Sequence, residues 1–439
     1  MTGSSVNSAS NSTGQVKSLP HAESPQWLAF VEAKQTAVRV PGVPDWWVQG
    51  AAEARERILR SGFPTTKRED WKYTSLMPLH GKARRLSMGP VDVRGPRGLQ
   101  VFTLSQLSKA IASGDASGGT PWGSHEEMRA LETRLREAFS RRDLGFGAEL
   151  CRAFVDDPFI VRVPKGFNAA EPVEIHWKSL PKDQWSFGLA YVDVGEGANA
   201  VLSESYGRGV DAQSVQTVLH LESSAKVSHL RTQRGEGGVV IASTLARLKS
   251  QATYHAVQVA SGSGLAREDF YVELLEKHAS AIADGVFVGK SKDVSDHHTN
   301  LIHLVGDTQS QQLYKGILAD ESRGVFNGRV VIAKSASGAN SAQLNKNLLL
   351  SKKVEIDTKP ELEIENDDVK AAHGAAIGRL DKEHLFYLRS RGITQAQAVE
   401  VLARGFAFEV VDKLESDSLR ALGREAVNEA LVGLRWEDT

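Results

Sequence analysis

The chain has 439 residues, of which 53 are basic and 54 acidic, for a formal net charge of −1. That length exceeds one ordinary core and predicts two or three domains or a single elongated solenoid, while the balanced charge excludes a sustained grip on nucleic acid or anionic lipid. No run approaches the roughly 20 apolar residues of a bilayer crossing, and Cys151, the only cysteine, excludes an intrachain disulfide and fits a reducing cytoplasm.

A lone thiol also cannot build an all-cysteine zinc or iron–sulfur site, so any such role must borrow ligands from a partner or use His and carboxylates. In chain order, Met1 to Gln15 is rich in Ser and Asn, without charge or an apolar stretch. Residues 1–20 are therefore expected to form a disordered tail. A secretory signal needs a basic head and an apolar middle, and both are missing. The Ser-rich, acid-poor start faintly suggests a transit peptide, but the first arginine is Arg39. A cytoplasmic location is expected.

Gln26 to Val38 and Asp45 to Arg60 read as helices, with Asp45 as N-cap of the second and Gly62 as its stop. Pro64 to Gly119 reads as irregular, with scattered Pro and Gly. His125 to Arg142 is again helical, with Met128, Leu131, Leu135 and Phe139 spaced for one buried face. Residues 21–150 are thus expected to be a mostly helical N-terminal domain with one long loop region.

From Phe159 the period changes to two. Phe159 to Val163 and Val173 to Trp177 alternate apolar and polar residues as half-buried strands do. Similar runs follow at Ser214 to Leu221, Val239 to Leu245, His255 to Val259, Phe270 to Leu275 and Ile282 to Val288. They continue at Val325 to Ile332, Leu348 to Val354 and Leu362 to Ile364. Residues 151–378 are expected to be all-β, and a sandwich or barrel competes with a stacked solenoid. Short strands joined by small polar turns favour the solenoid.

Residues 379–439 turn helical again. Asp381 can cap a helix through Leu385, Phe386 and Leu388, with Gly392 just past its end. Thr394 and Gln397 have the spacing of a capping box, opening a helix with Val399, Leu402, Phe406 and Val410 on one face. A third helix, Asp417 to Leu434, carries Leu419, Leu422, Val427, Leu431 and Leu434. These helices could end the solenoid or dock another protein.

Three segments invite a chemical reading. Asp284 to Ser291 ends like a phosphate-binding loop, but Gly285 lies one residue too close to Gly289, and Val286, Phe287 and Val288 resist the required curl. A strand followed by a turn is expected. Asp296, His297 and His298, with His303 downstream, have metal-ligand chemistry. Neighbouring residues of a strand point to opposite faces, so a surface or turn pair is expected instead. His373 sits among Ala371, Ala372, Gly374, Ala375 and Ala376, which let another backbone approach closely. No nucleophile–base set or pair of catalytic carboxylates follows from spacing, so the residues themselves offer no enzyme.

Two stretches resemble the SufB/SufD family of iron–sulfur cluster assembly proteins. One is Phe63-Pro-Thr-Thr-Lys-Arg-Glu-Asp-Trp-Lys-Tyr-Thr-Ser-Leu76. The other, about residues 295 to 393, contains Ser-Asp-His-His298, Leu-Tyr-Lys-Gly-Ile317, Arg-Gly-Val-Phe-Asn-Gly328 and Asn-Lys-Asn-Leu-Leu-Leu350. It runs on through Asp-Thr-Lys-Pro-Glu-Leu-Glu-Ile364, Asp-Asp-Val-Lys370, His-Gly374 and Leu-Phe-Tyr-Leu-Arg-Ser-Arg-Gly-Ile393. The resemblance implies a mainly β fold, a right-handed parallel β-helix flanked by helical N- and C-terminal domains.

It also implies a non-catalytic scaffold subunit of the SUF assembly complex. SufB would pair across the end of the β-helix, and the ATPase SufC would dock on the C-terminal helices through Val399, Leu402, Phe406 and Val410. A homodimer of the isolated chain is compatible with it. B-type members carry a functional cysteine just before the matching histidine; here that pattern reads Ala371-Ala-His373, which points to the D type, associated with iron entry. His373 is then the implied ligand of iron or a nascent cluster at the SufB interface, held only transiently and within the complex. Asp367 and Asp368 could stand behind it. A B-like, cluster-carrying scaffold and a β-helix polysaccharide lyase are the rival readings. The lyase is disfavoured by the missing secretion signal and calcium-binding acidic cluster.

Overall fold

The computed structural model describes residues 24, 26, 27, 29, 40–81, 83–113, 123–169, 171–178, 182–235 and 237–437. The expected tail and most of the helix Gln26 to Val38 lie outside them.

Helix α1 (Asp45–Ser61) buries Trp47, Ala51, Ala54 and Ile58, one helical face. Its cap is Pro44, in extended conformation, rather than Asp45. Asp45 instead stands in the first turn, where a carboxylate complements the helix dipole. Gly62 ends the helix at φ 73° and returns its N–H to the Ile58 carbonyl. The stretch expected to be irregular holds a 3₁₀ turn (Glu69–Trp71), α2 (Met77–His80), strands β1 (Arg85–Met88), β2 (Val91–Arg94) and β3 (Gln100–Thr103), and α3 (Leu104–Ser113). Each strand has four residues, too few for a periodic signal, and forms because it pairs with the large sheets. Helix α4 (His125–Ser140) opens with a Ser124–Glu127 capping box and buries Met128, Leu131, Leu135 and Phe139 as expected. Helix α5 (Gly145–Phe154), unforeseen, is nearly all buried.

The rest is a parallel β-solenoid of about seven turns. Its first strands are β4 (Phe159–Val163), β5 (Val173–Trp177), β6 (Gln184–Val194), β7 (Asn199–Tyr206), β8 (Ala212–Leu221) and β9 (Lys226–Arg234). There follow β10 (Val239–Leu248), β11 (Thr253–Ser261), β12 (Leu265–Leu274), β13 (Ser280–Gly289) and β14 (Val294–His303). The last are β15 (Gln309–Leu318), β16 (Arg323–Ile332), β17 (Asn340–Leu349), β18 (Glu355–Ile364) and β19 (Lys370–Arg379). Even-numbered strands from β4 form a ten-stranded sheet with β1 and β3, and odd-numbered strands from β5 form a nine-stranded sheet with β2.

Register is kept from rung to rung: Val239 lies opposite Ala212 on one side and Leu265 on the other. Corners stack as well, since Ser224 N–H donates to the Ser250 carbonyl and Gln251 N–H to that of Lys277. Ser224 and Gln251 both have positive φ, near 59° and 58°, a conformation that turns the chain within two or three residues. The run expected as a strand from Leu348 to Val354 is instead the end of β17 and the next corner.

Three apolar layers hold the molecule together. The lumen packs Val192, Leu219 and Phe270. The outer face of the ten-stranded sheet, with Trp185 and Ile241, is covered by the N-terminal residues Trp71, Leu131 and Leu150. The outer face of the nine-stranded sheet, with Val257, Val286 and Ile317, is covered by helices α6 (Lys382–Ser390), α7 (Gln395–Val411) and α8 (Asp417–Leu431). The predicted caps are formed: Asp381 accepts from Glu383 N–H, and Thr394 and Gln397 complete a capping box. Among the described residues, no helix is long and apolar enough to cross a membrane.

Candidate functional site

Among the described residues, strand β19, which holds the Ala371 to Ala376 run, is the last of its sheet and is paired only with β17; β18 is likewise last and paired only with β16. The solenoid is therefore open at this end, with two ten-residue strands presenting one unpaired edge each. Ala371 packs on the lumenal core, so His373, two residues on, shares that inward face. It is nonetheless exposed, because its strand is the outermost rung.

Directly beside it in register is Gln343, only 3% exposed. Gln343 Nε2 donates to Gln312 Oε1 at 2.7 Å. Asn347 Nδ2 donates to Asn345 Oδ1 at 2.6 Å, and the Thr358 hydroxyl donates to the same oxygen at 2.8 Å. The mouth thus has an amide floor, with the imidazole of His373 above it. Ile377, Ile364 and Leu344, exposed to 52%, 45% and 36%, add apolar surface at this end. Asp368 serves the corner before β19, its carboxylate taking the Ser337 hydroxyl at 2.6 Å.

The other sequence candidates occupy different places. His297 and His298 lie in β14 and point to opposite sheet faces, but neither is a surface or turn residue. Burial pushes the His297 imidazole down to about 3; it stacks on Phe287 with centroids 4.8 Å apart and contacts Gln258 at 3.2 Å. The ladder explains the correction, because a ten-residue inner strand buries even its polar face. His303 is buried too, between Thr308 at 2.8 Å and Ser310 at 2.9 Å. Asp284 to Ser291 is the end of β13 and a turn, as expected. The Asp284 carboxylate accepts the Leu313 N–H at 2.7 Å and pairs with Lys413 at 3.0 Å, fastening the C-terminal helices.

Val399 and Val410 are fully buried against the solenoid, with Leu402 and Phe406 half-buried beside them. Their apolar contacts are made within the chain. Lys315, itself buried, reinforces this by donating to the Phe406 carbonyl at 2.9 Å and pairing with Glu409. Apolar surface left to solvent nearby is Phe386 at 74% and Tyr387 at 57% exposure, on α6. Cys151 is buried in α5, and burial pushes its thiol far above the ordinary range. It supplies no thiolate.

One cluster escaped sequence reasoning. Arg267, on β12, pairs with Asp269 at 2.7 Å and Asp296 at 2.6 Å, donates to the Asp70 carbonyl at 2.8 Å, and lies over the Trp71 ring at 4.6 Å. The Thr74 hydroxyl donates to Asp296 at 2.5 Å. Burial works against the Arg267 charge, but the two carboxylates outweigh it and hold its pKa above the ordinary value. Burial likewise opposes the Asp296 charge, yet Arg267 and His298 keep its pKa well below the usual carboxylate range. The Glu-Asp-Trp-Lys-Tyr-Thr74 and Ser-Asp-His-His298 segments, far apart in sequence, thus meet as one strap over the ten-stranded sheet. Only the presence of charged residues in a strand-like run, Arg267 to Asp269, hinted at it.

A parallel β-solenoid with a helical cover on each sheet, one open strand-edged end and a histidine at its mouth is the class of protein defined by this geometry. Residues 179–406 match the family described as "SUF system FeS cluster assembly, SufBD core domain", and the chain belongs to that family of iron–sulfur cluster assembly proteins. It is 28% identical to the iron–sulfur cluster assembly protein SufD of Escherichia coli, over 93% of this chain and 96% of that one. It is also 26% identical to the chloroplastic protein ABCI7 of Arabidopsis thaliana, over 85% and 83% of the two chains. A shorter match, 36% identical over 31% of each chain, links it to SufD of Bacillus subtilis.

Proposed function

We propose that this protein is a non-catalytic, D-type scaffold subunit of the SUF complex that works in the cytoplasm. It pairs with SufB through the open end of its solenoid and with SufC through its C-terminal helices. It helps iron enter a nascent cluster at the SufB interface, with His373 as a transient ligand. The carrying observation is the exposed His373 on a terminal strand whose outer edge is unpaired among the described residues. Unpaired backbone edges favour another strand, and small neighbours leave room for it.

The ligand chemistry follows from the residues. A neutral imidazole is a borderline ligand for Fe(II), able to bind and release. No group of three or more His, Cys, Asp or Glu among the described residues is placed to hold a metal, so the remaining ligands of the cargo would come from SufB. The inert Cys151 and the Ala at 371 disfavour a B-like, cluster-carrying role. For SufC, the exposed Phe386 and Tyr387 are the proposed contacts on the C-terminal helices, because Val399 and Val410 already pack inward.

The test is cluster yield in cells expressing the full operon with His373→Ala, read beside recovery of the complex. The expected result is an assembled complex with sharply reduced cluster. Normal yield would remove the ligand role, and a lost complex would make His373 structural. In a parallel pull-down, Phe386→Ser with Tyr387→Ser should release SufC; unchanged recovery would refute that docking surface.

A further inference from the structure

We infer that Gln343 is a positioning residue for His373: its side-chain oxygen takes one imidazole N–H and so presents the other ring nitrogen to iron. The inference rests on the reading of His373 as an iron ligand. Gln343 and His373 are register partners in adjacent parallel strands and share the inward face, so their side chains are immediate neighbours. The amide is held from two sides. Its Nε2 donates to Gln312 Oε1, and a Cβ at Gly328 would overlap that same nitrogen, so the glycine makes room for it.

What is left over is Gln343 Oε1, a buried oxygen without a hydrogen-bond partner among the described residues. A buried acceptor left unpaired is unfavourable. Gln312, in register on the inner side, is engaged through its oxygen, and on the open side the neighbour in register is the imidazole of His373. A neutral imidazole has one N–H and one lone pair, and the bond made by the first fixes the tautomer and aims the second. When a partner strand closes over the mouth, His373 loses water as an alternative donor and acceptor. Gln343 Oε1 then becomes its internal acceptor. Iron would meet an imidazole already turned and protonated on the correct side.

The experiment uses the complex with SufB and SufC, purified anaerobically. Ferrous affinity is read by competition with a chromogenic Fe(II) chelator, and assembly and Tm are read alongside. Gln343→Leu and Gln343→Met, which keep bulk but remove the acceptor, should weaken Fe(II) binding about tenfold with complex yield unchanged. Any fall in Tm should match that of Gln312→Leu, which loses the same interior hydrogen bond. Gln343→Glu, which restores an acceptor, should return affinity to within about threefold of the parent, within the range expected for such partners. Gln312→Leu, which breaks the same interior hydrogen bond but leaves Gln343 Oε1 in place, should leave affinity nearly unchanged. If His373→Ala weakens binding while both acceptor-free variants do not, this inference fails and the His373 reading stands. If His373→Ala leaves binding intact, that reading fails instead. Equal losses in Gln343→Leu and Gln312→Leu, or no recovery with Glu, would make Gln343 a packing residue.

Discussion

The two ends of the solenoid start from similar rungs and finish in opposite ways. At the first end, the outermost strands β2 and β3 are only four residues long and run antiparallel to β5 and β4. Behind them the lumen is apolar: Trp177 is 2% exposed, packs its ring on Phe159 at 5.4 Å and donates Nε1–H to Glu204 at 2.7 Å. At the other end, β18 and β19 run parallel to β16 and β17 for ten residues each and, among the described residues, leave their outer edges unpaired. Behind them lie amides, and the rim carries exposed isoleucines. A short edge crossed by reversed chain offers little template for pairing, whereas a long parallel edge continues the ladder. Packing therefore closes one end, and the other keeps the edge on which the proposed pairing would build.

That contrast breaks most visibly at the closed end. Trp177→Ala should cost about 4 kcal/mol, because it opens a large cavity and removes one donor from the buried Glu204 carboxylate, which keeps only the Thr217 hydroxyl and His229. The chain even reserves space for that ring, since a Cβ at Gly188 would overlap it. Denaturant unfolding would show the shift, and a change under about 1 kcal/mol would mean that this lumen tolerates loss of packing.

Next in size is the strap. Arg267→Ala should cost about 3 kcal/mol by leaving Asp269 and Asp296 buried without their cation. Proteolysis should then cut first within the residues 63–76 that Arg267 holds down. Equal susceptibility in the variant and the parent would show that the apolar cover alone fixes this segment.

Acid probes the lumen between the ends. Burial depresses His303 from 6.5 to about 4, so the unfolded chain binds the proton more readily than the folded one. Stability from this group is complete above about pH 6.5 and is lost as pH falls toward 4. The loss should amount to about 2 kcal/mol by pH 5. His303→Asn should flatten that part of the stability profile; an unchanged slope would assign the acid sensitivity to other groups, His297 first.

The smallest effect is expected at the open end. Ile377→Ala should change the stability of the isolated chain by less than about 0.5 kcal/mol, as at an exposed site, yet weaken pairing with SufB. A loss above about 1 kcal/mol in the isolated chain would show that this rim is already packed, and the contrast would fall.

Much of this was readable from residues alone. Helix α4, the caps at Asp381 and Thr394, and the strand period from Phe159 onward follow from local rules, because a cap or a buried face is specified within a few neighbouring residues. The family was legible too, through the two matched segments. Strands such as β14, β15 and β17 escaped notice because their inward faces carry His297, Gln312 and Gln343. A polar lumen erases the apolar alternation on which strand reading depends.

Tertiary structure alone decided the rest. Period-two alternation is common to a sandwich and a solenoid; only the rung-to-rung register separates them, and it depends on residues far apart in the chain. The apolar stripe of Val399, Leu402, Phe406 and Val410 announces a contact without saying with what, since a partner protein and the chain's own sheet reward burial equally. The strap joining Thr74 to Asp296 shows in the sequence only as charge within a strand-like run, and the unpaired oxygen of Gln343 beside His373 has no sequence signal. Each exists because folding brings distant polar groups into one dry place, where a missing or supplied hydrogen bond counts far more than it does in water.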